Sequence, residues 1–152
     1  MPNRHNQKGR SKGGGQFVPI SYQMAKSDAW RSLSGSATKV YVELRSRFNG
    51  GNNGDLSLSY AEAADLLGLG KSTVARAFKE LEEKGLIEKT SQGDWYGRRA
   101  STWLVTDKPT RKGEPALNSW QRWRYPKNNP RYSGGTMRRV ASRLGTGGEK
   151  NF

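Results

Sequence analysis

The sequence contains no cysteine and a single histidine, His5. Disulfide bonds and cysteine-ligated zinc are therefore excluded, and one histidine in a segment without an apolar anchor does not make a metal site. The same shortage argues against nucleophilic triads, because these need a Cys or His member. We therefore predict a protein that is not an enzyme and that has no cofactor and no bound metal.

Long apolar runs are also missing. No stretch approaches the ~20 apolar residues that a helix needs to cross a bilayer. The first 15 residues, MPNRHNQKGRSKGGG, lack the apolar stretch of a signal peptide. We therefore expect no membrane partner and a cytoplasmic location.

Acidic residues are scarce at both ends of the chain, whose net charge is +14. Residues 1–16 carry four basic residues and no acidic one, and residues 108–152 carry 11 basic and 2 acidic residues, whereas residues 17–107 carry 12 and 11. We predict a basic arm over 1–16 that is disordered when free, one domain over 17–107, and a basic, largely irregular tail over 108–152. Basic arms that flank a compact domain are typical of polyanion binding.

Residues 60–87, YAEAADLLGLGKSTVARAFKELEEKGLI, predict two helices joined by a tight turn. Ser59 is a good N-cap, and Glu62 follows three residues later, which is the spacing of a capping box. A core face for the first helix is predicted from Ala61, Ala64, Leu66 and Leu67. The run Gly68-Leu69-Gly70 ends this helix, because glycine readily adopts the left-handed conformation.

The second helix is predicted to start after Gly70 or Ser72 and to run to Lys84. Its apolar residues Val74, Phe78 and Leu81 recur at i, i+4 and i+7, which places them on one buried face. Two short helices joined by a three-residue turn that contains glycine form a helix-turn-helix unit, whose second helix lies in the DNA major groove.

The flanking segments predict the rest of the fold. Residues 37–48 show helical spacing of apolar residues, and residues 55–59 form a short strand. Two further strands, 86–90 and 100–106, flank the polar segment SQGDWYGRR and predict a long-looped hairpin, with Trp103 and Val105 on one side. The predicted fold class is α+β: a winged helix-turn-helix with a three-helix core and a β-hairpin wing, flanked by basic flexible arms.

The segment GLGKSTVARAFKELEEKGLIEK resembles the recognition helix and following strand of winged-helix transcription regulators. The longer segment FVPISYQMAKSDAWRSLSGSATKVYVELRSRFNGGNNGDLSLSYAEAADLL is similar to small winged-helix proteins encoded by phages, plasmids and integrative elements of bacteria. Some of those proteins are regulators and others resemble replication initiators. The resemblance covers residues 17–107 and implies double-stranded DNA as the partner and a place on the bacterial nucleoid.

The outward face of the second helix supplies the candidate site residues. We predict base reading by Ser72, Thr73 and Arg76, since Arg to guanine is the commonest specific contact. Lys71 and Lys79 are predicted to bind phosphate. At the wing tip, Arg98 and Arg99 are predicted to reach phosphate or the adjacent minor groove.

The tail combines aromatic and basic residues. Trp120, Trp123, Tyr125 and Tyr132 are interleaved with Arg122, Arg124, Lys127 and Arg131, a mixture that suits stacking on exposed bases. Residues 136–144, TMRRVASRL, are amphipathic and predict a short helix whose polar face carries Arg138, Arg139 and Arg143. The sequence leaves three interpretations open: the tail binds nucleic acid, it binds a protein partner, or Trp120 and Trp123 pack on the domain.

The run GLGKST at residues 68–73 does not predict nucleotide binding. The phosphate-binding loop motif requires glycine at position 65, where Asp65 stands, and it requires a preceding strand where this sequence predicts a helix. We therefore predict a sequence-specific binder of double-stranded DNA that regulates transcription. The alternatives are a phage or plasmid replication initiator and, more distantly, a single-strand or RNA binder. A homodimer stays open, because many such regulators dimerise on two half-sites.

Overall fold

The computed structural model describes residues 15–94 and 96–126. Five α-helices, three β-strands and one 3-10 turn lie within these ranges. The helices are α1 (Tyr22–Ala25), α2 (Asp28–Arg31), α3 (Gly35–Ser46), α4 (Tyr60–Leu67) and α5 (Lys71–Glu83). The strands are β1 (Leu56–Ser57), β2 (Ile87–Ser91) and β3 (Thr102–Val105), and the 3-10 turn is Ser119–Gln121. No helix in the described residues is long and apolar enough to span a membrane.

The predicted winged helix-turn-helix is confirmed. Helices α3, α4 and α5 form the three-helix core, and β2 and β3 form the antiparallel hairpin of the wing. Strand β1 pairs with the other edge of β3, so the sheet order is β1-β3-β2. The short helices α1 and α2 precede this core and were not predicted, because four-residue helices carry too little apolar periodicity to be recognised.

Serine caps begin the first four helices. Ser21, Ser27, Ser34 and Ser59 each adopt extended backbone, and each side chain accepts a hydrogen bond from the backbone N–H three residues later. Such caps satisfy N–H groups that have no partner inside the helix and are typically worth ~1 kcal/mol. The predicted cap at Ser59 is confirmed, whereas α5 begins at Gly70 without a side-chain cap.

The core is centred on an aromatic stack. Phe78 of α5 stacks on Trp103 of β3 with ring centroids 4.4 Å apart. The ring centroid of Tyr60 of α4 lies 5.0 Å from that of Phe78. Phe78 and Trp103 are fully buried. Large stacked aromatics dominate the energetics of small cores, so this contact fixes α5 on the sheet.

The predicted core face of α4 was partly wrong. Ala61 and Leu66 are exposed, whereas Ala63 and Ala64 are buried. Ala64 and the half-buried Leu67 were predicted correctly, and Ala63 completes the inward face. Tyr60 lies on the same side and its ring contacts Phe78, although it is 36% exposed. The prediction combined residues from opposite faces of a short helix.

Element limits differ from prediction by one or two residues. The helix predicted over 37–48 begins earlier, at the Ser34 cap, and ends at Ser46. The strands predicted over 55–59 and 100–106 are shorter, and the strand predicted over 86–90 is shifted by one residue. The reason is that the paired residues of the sheet are Leu56–Ser57, Ile87–Ser91 and Thr102–Val105.

Residues 108–126, which we call the strap, pack against the domain. The backbone N–H of Arg111 donates to the carbonyl of Asn53, and that of Asn118 donates to the carbonyl of Thr106. Trp120 is only 4% exposed and belongs to the core. The packed body therefore extends beyond the boundary predicted at residue 107, because one tryptophan of the tail covers apolar surface that the domain alone would expose.

Tyr41, Arg45 and Asp107 form a polar cluster at the edge of the core, next to the first residue of the strap. The Tyr41 hydroxyl donates to Asp107 Oδ1 over 3.1 Å, and Arg45 Nε lies 3.5 Å from Asp107 Oδ2. Burial of the hydroxyl, and secondly the charge of Asp107, raise the pKa of Tyr41 well above its usual value. The hydroxyl therefore stays protonated at neutral pH and continues to donate this hydrogen bond.

Candidate nucleic-acid interface

Helix α5 separates a buried face from an exposed face. Val74, Ala77, Phe78 and Leu81 are buried. This confirms the predicted inward positions and adds Ala77. On the opposite face, Lys71, Ser72, Arg76 and Lys79 are exposed, and Thr73 is half-buried. The predicted base-reading and phosphate-binding residues thus lie together on the side of α5 that faces away from the core.

The exposed side chains of α5 make only weak contacts within the protein. Arg76 Nε lies 3.4 Å from the carbonyl of Ser72, which is long for a hydrogen bond. Lys79 Nζ lies 3.9 Å from Glu83 Oε1, and both side chains are more than half exposed. Exposed pairs of this kind contribute ~0–1 kcal/mol, so a ligand displaces them at little cost.

The turn before α5 sets the angle between the two helices of the motif. Gly68 caps α4 in the left-handed conformation, with φ of 63°. The backbone N–H of Leu69 donates to the carbonyl of Ala64, and Gly70 then returns to extended backbone. The glycine turn predicted from the sequence is therefore the element that directs α5 away from α4.

The C-terminal end of α5 is held by residues that the sequence analysis did not identify. Glu80 accepts hydrogen bonds from the backbone N–H and the hydroxyl of Ser34, at 3.0 and 2.7 Å. Lys84 Nζ donates to Glu80 Oε1 over 2.8 Å and to the carbonyl of Ser32 over 2.9 Å. The i, i+4 spacing of Glu80 and Lys84 was visible, but their serine partners lie 46 and 52 residues away in the chain.

The carboxylate of Glu80 is stabilised in its charged form. Burial raises its pKa, but hydrogen bonds from Lys84 and Ser34 together outweigh burial, so the pKa of Glu80 is lower than its usual value. This charged network therefore fixes α5 to the start of α3 at neutral pH.

Arg47 forms a second junction, between α3, β1 and α4. Its Nη1 donates to the carbonyl of Ser57 over 2.7 Å, and its Nη2 donates to Glu62 and Glu43 over 2.9 and 3.0 Å. The predicted capping box is therefore only half formed, because the Glu62 carboxylate binds Arg47 at the end of α3 rather than the backbone of Ser59.

The wing places its two predicted arginines on the surface. Arg98 and Arg99 are exposed at the end of the hairpin. A cleft of about 700 Å³ separates this end of the wing from the start of α4, and Tyr60, Ala61, Arg98 and Arg99 contribute to its walls. The wing and the first turn of α4 thus form the two sides of one surface.

The residues predicted as contacts in the tail lie in different environments. Trp120 is buried and Trp123 is half-buried, with its ring centroid 5.1 Å from Lys84 Nζ. The interpretation that these tryptophans pack on the domain is therefore confirmed for both, because Trp123 also packs against the core. Trp120 is buried and is not available to stack on bases. Arg122 and Arg124 are exposed on the strap. Lys127, Tyr132, Arg131, Arg138, Arg139, Arg143 and the helix predicted over 136–144 lie outside the described residues, as do residues 1–14.

In comparisons with known proteins, one family model matches part of the chain. A model described as a Crp-like helix-turn-helix domain matches residues 40–96, from the middle of α3 to the tip of the wing, before β3. Searches of curated proteins and of solved structures found no match. The match and the geometry agree, and the chain contains a helix-turn-helix DNA-binding domain.

Proposed function

We propose that the protein binds double-stranded DNA in a sequence-specific manner and regulates transcription of a bacterial or mobile-element locus. The single observation that carries this proposal is the exposed face of α5. Arg76, Ser72 and Lys79 project from a helix whose other face is anchored in the core. A rigid helix that presents donors and cations is the element that enters a major groove.

Each residue has a distinct role in this proposal. Arg76 donates to the acceptor edge of a guanine, and Ser72 and Thr73 contact neighbouring bases near the start of the helix. Lys71 and Lys79 neutralise phosphates on either side of the groove. Phosphate contacts set position and affinity, whereas base contacts set specificity.

The wing and the tail add affinity. Arg98 and Arg99 contact the backbone or minor groove beside the groove that holds α5. In the tail, the predicted nucleic-acid contacts are Arg122, Arg124, Lys127, Arg131, Arg138, Arg139 and Arg143. If Arg138, Arg139 and Arg143 bind phosphate, replacing all three with glutamine should make the log–log salt dependence of binding shallower by about 2.7, which is about 0.9 for each lost contact.

The direct test is selection of a binding site. Wild-type protein is used to enrich duplexes from a random pool, and Arg76→Ala is then compared with wild type on the selected duplex and on random duplex. We expect Arg76→Ala to lose roughly 1–3 kcal/mol of discrimination between the two duplexes, while its affinity for random DNA changes less.

Lys39→Ala is the matched control, because Lys39 is an exposed cation on α3 and the cleft that it lines is formed with α4 and contains no residue of α5. It should leave discrimination unchanged. Failure of the wild-type protein to enrich any sequence would contradict the proposed function. Genome-wide footprinting then tests the regulatory role: protection at scattered promoters supports regulation, and a single origin-like cluster supports replication initiation.

A further inference from the structure

The tip of the wing is a closed turn with a defined shape. Asp94 and Arg99 are joined by two backbone hydrogen bonds of 2.9 and 3.0 Å. The Asp94 side chain also accepts a hydrogen bond from the backbone N–H of Tyr96 over 2.9 Å. Residue 95 lies outside the described residues. These local hydrogen bonds set the path of the described part of the turn.

Two residues of this turn have unusual local geometry. A Cβ on Gly97 would lie 2.9 Å from Oδ2 of Asp94, so a larger residue would displace the Asp94 side chain. Arg98 has φ of +51°, a conformation that only one other non-glycine residue, Asn118, adopts in the described part of the chain. Unfavourable backbone conformations of this kind cluster at functional sites.

The turn displays an aromatic ring beside two cations. Tyr96 is 96% exposed, more than any other large hydrophobic side chain in the described ranges. Arg98 and Arg99 follow it and are exposed too. An isolated exposed aromatic is common on protein surfaces. An exposed aromatic on a hydrogen-bonded turn, followed in sequence by two exposed arginines, has a more specific chemistry, because the ring can stack while the guanidinium groups neutralise phosphate.

We propose that Tyr96 enters the minor groove beside the major groove occupied by α5 and stacks at one base step, which bends the duplex. This inference rests on the proposed function. Side chains that insert between base steps unstack them and kink DNA, and arginines favour a narrow minor groove. Arg98 and Arg99 hold the strands on either side of the inserted ring. The wing therefore selects sequence through deformability, at positions that α5 does not touch.

The experiment uses the full-length protein and a duplex enriched by wild type from random DNA. 2-Aminopurine replaces one base at a time on the flank that the wing covers, and its fluorescence reports unstacking. Wild type should raise the fluorescence at one step. Tyr96→Ala should abolish that rise and weaken binding roughly 5- to 150-fold, whereas Tyr96→Phe should keep both.

Tyr22→Ala is the matched control. Tyr22 is 85% exposed and has Lys26 Nζ 5.8 Å from its ring centroid, so it offers the same chemistry on α1 instead of the wing. It should change neither fluorescence nor affinity. A wild-type complex with no unstacked step, or a Tyr96→Ala complex that keeps the unstacked step, overturns the proposal. In both cases the enriched sequence and its dependence on Arg76 would survive, which separates this failure from failure of the proposed function.

Discussion

The two ends of the DNA-binding module differ in how many contacts their side chains make with the rest of the protein. At one end, Lys84, Gly85 and Thr106 contact the strap. Glu80 and Lys84 are also hydrogen-bonded to Ser34 before α3 and Ser32 after α2. We call this the anchored end. At the other, the outer face of α5 and the wing tip are exposed and make few contacts with the rest of the protein. We call this the open end.

This difference shows how a small domain keeps a binding surface ready for use. Side chains at the open end gain nothing from folding, so they need a rigid base to stay in position. The anchored end supplies that base through Glu80, Lys84 and Gly85. Substitutions at the anchored end should therefore change stability, and substitutions at the open end should change binding alone.

The largest effect should come from Phe78, which joins both ends to the sheet. Phe78→Ala removes a ring that is fully buried and stacked on Trp103. Truncation of a large aromatic in a core costs roughly 3–5 kcal/mol, which is a large part of the stability of a small domain. We expect severe loss of thermal stability or no folding, measured by circular dichroism. A melting temperature near that of wild type would mean that the stack does not hold α5.

Gly85→Ala should have the next largest effect, roughly 1–3 kcal/mol. Gly85 has φ of +73°, and an added Cβ would lie 2.8 Å from the carbonyl carbon of Ser119 in the strap. Gly68→Ala is the matched control, because Gly68 also has positive φ, at +63°, but nothing lies near its Cβ position. Chemical denaturation should show Gly85→Ala to be the more destabilised variant. Equal losses of stability in the two variants would indicate that the strap does not restrict the size of the side chain at position 85.

Glu80→Gln should cost about 1.5 kcal/mol at neutral pH, the size expected for hydrogen bonds to a charged group. Because the pKa of Glu80 is lowered in the folded protein, its stabilisation is complete above the ordinary glutamate pKa of about 4.3 and is lost as the pH falls through the folded value. The stability difference between wild type and Glu80→Gln should therefore shrink below about pH 4.

The control for this pH dependence is Glu83→Gln, whose side chain is 63% exposed and only loosely paired with Lys79. Its stability difference from wild type should stay near zero throughout the same titration. A Glu80 effect that is constant down to pH 2 would show that the carboxylate charge does not stabilise the anchored end.

The smallest effect on stability should come from Lys79→Gln at the open end, less than about 0.5 kcal/mol. Its effect should instead appear in binding, where the log–log salt slope should become shallower by about 0.9 for one lost phosphate contact. Lys39→Gln makes the same charge change on α3 and should leave the slope unaltered. If Lys79→Gln destabilised the fold but kept the slope, the division into two ends would be wrong at this residue.

Most of the open end could be predicted from the sequence. The inward spacing of Val74, Phe78 and Leu81 is local, so it also indicated which residues of α5 face outward. The wing was predicted from two apolar segments around a polar one, and its tip arginines are exposed as expected. The roles of these residues in binding stay predictions.

The anchored end could not be predicted in the same way. Glu80, Lys84 and Arg47 find their partners in segments that are distant in sequence, and charged residues on a helix usually face solvent. The core face of α4 was partly misassigned for a related reason. Ala64 was predicted correctly, but eight residues with many alanines give two plausible faces, and only packing against α3 and α5 buries Ala63 rather than Ala61.

Sequence alone determined the elements whose signals are local: glycines that end helices, apolar residues at helical spacing, and the concentration of positive charge outside residues 17–107. The tertiary structure decided what depends on contacts between distant segments. It placed Trp120 of the tail in the core and paired the Glu62 carboxylate with Arg47. It also bonded Glu80 and Lys84 of α5 and its C-cap to Ser34 and Ser32. The physical reason is that backbone conformation follows from neighbouring residues, whereas the burial and pairing of a side chain depend on which distant segments fold against it.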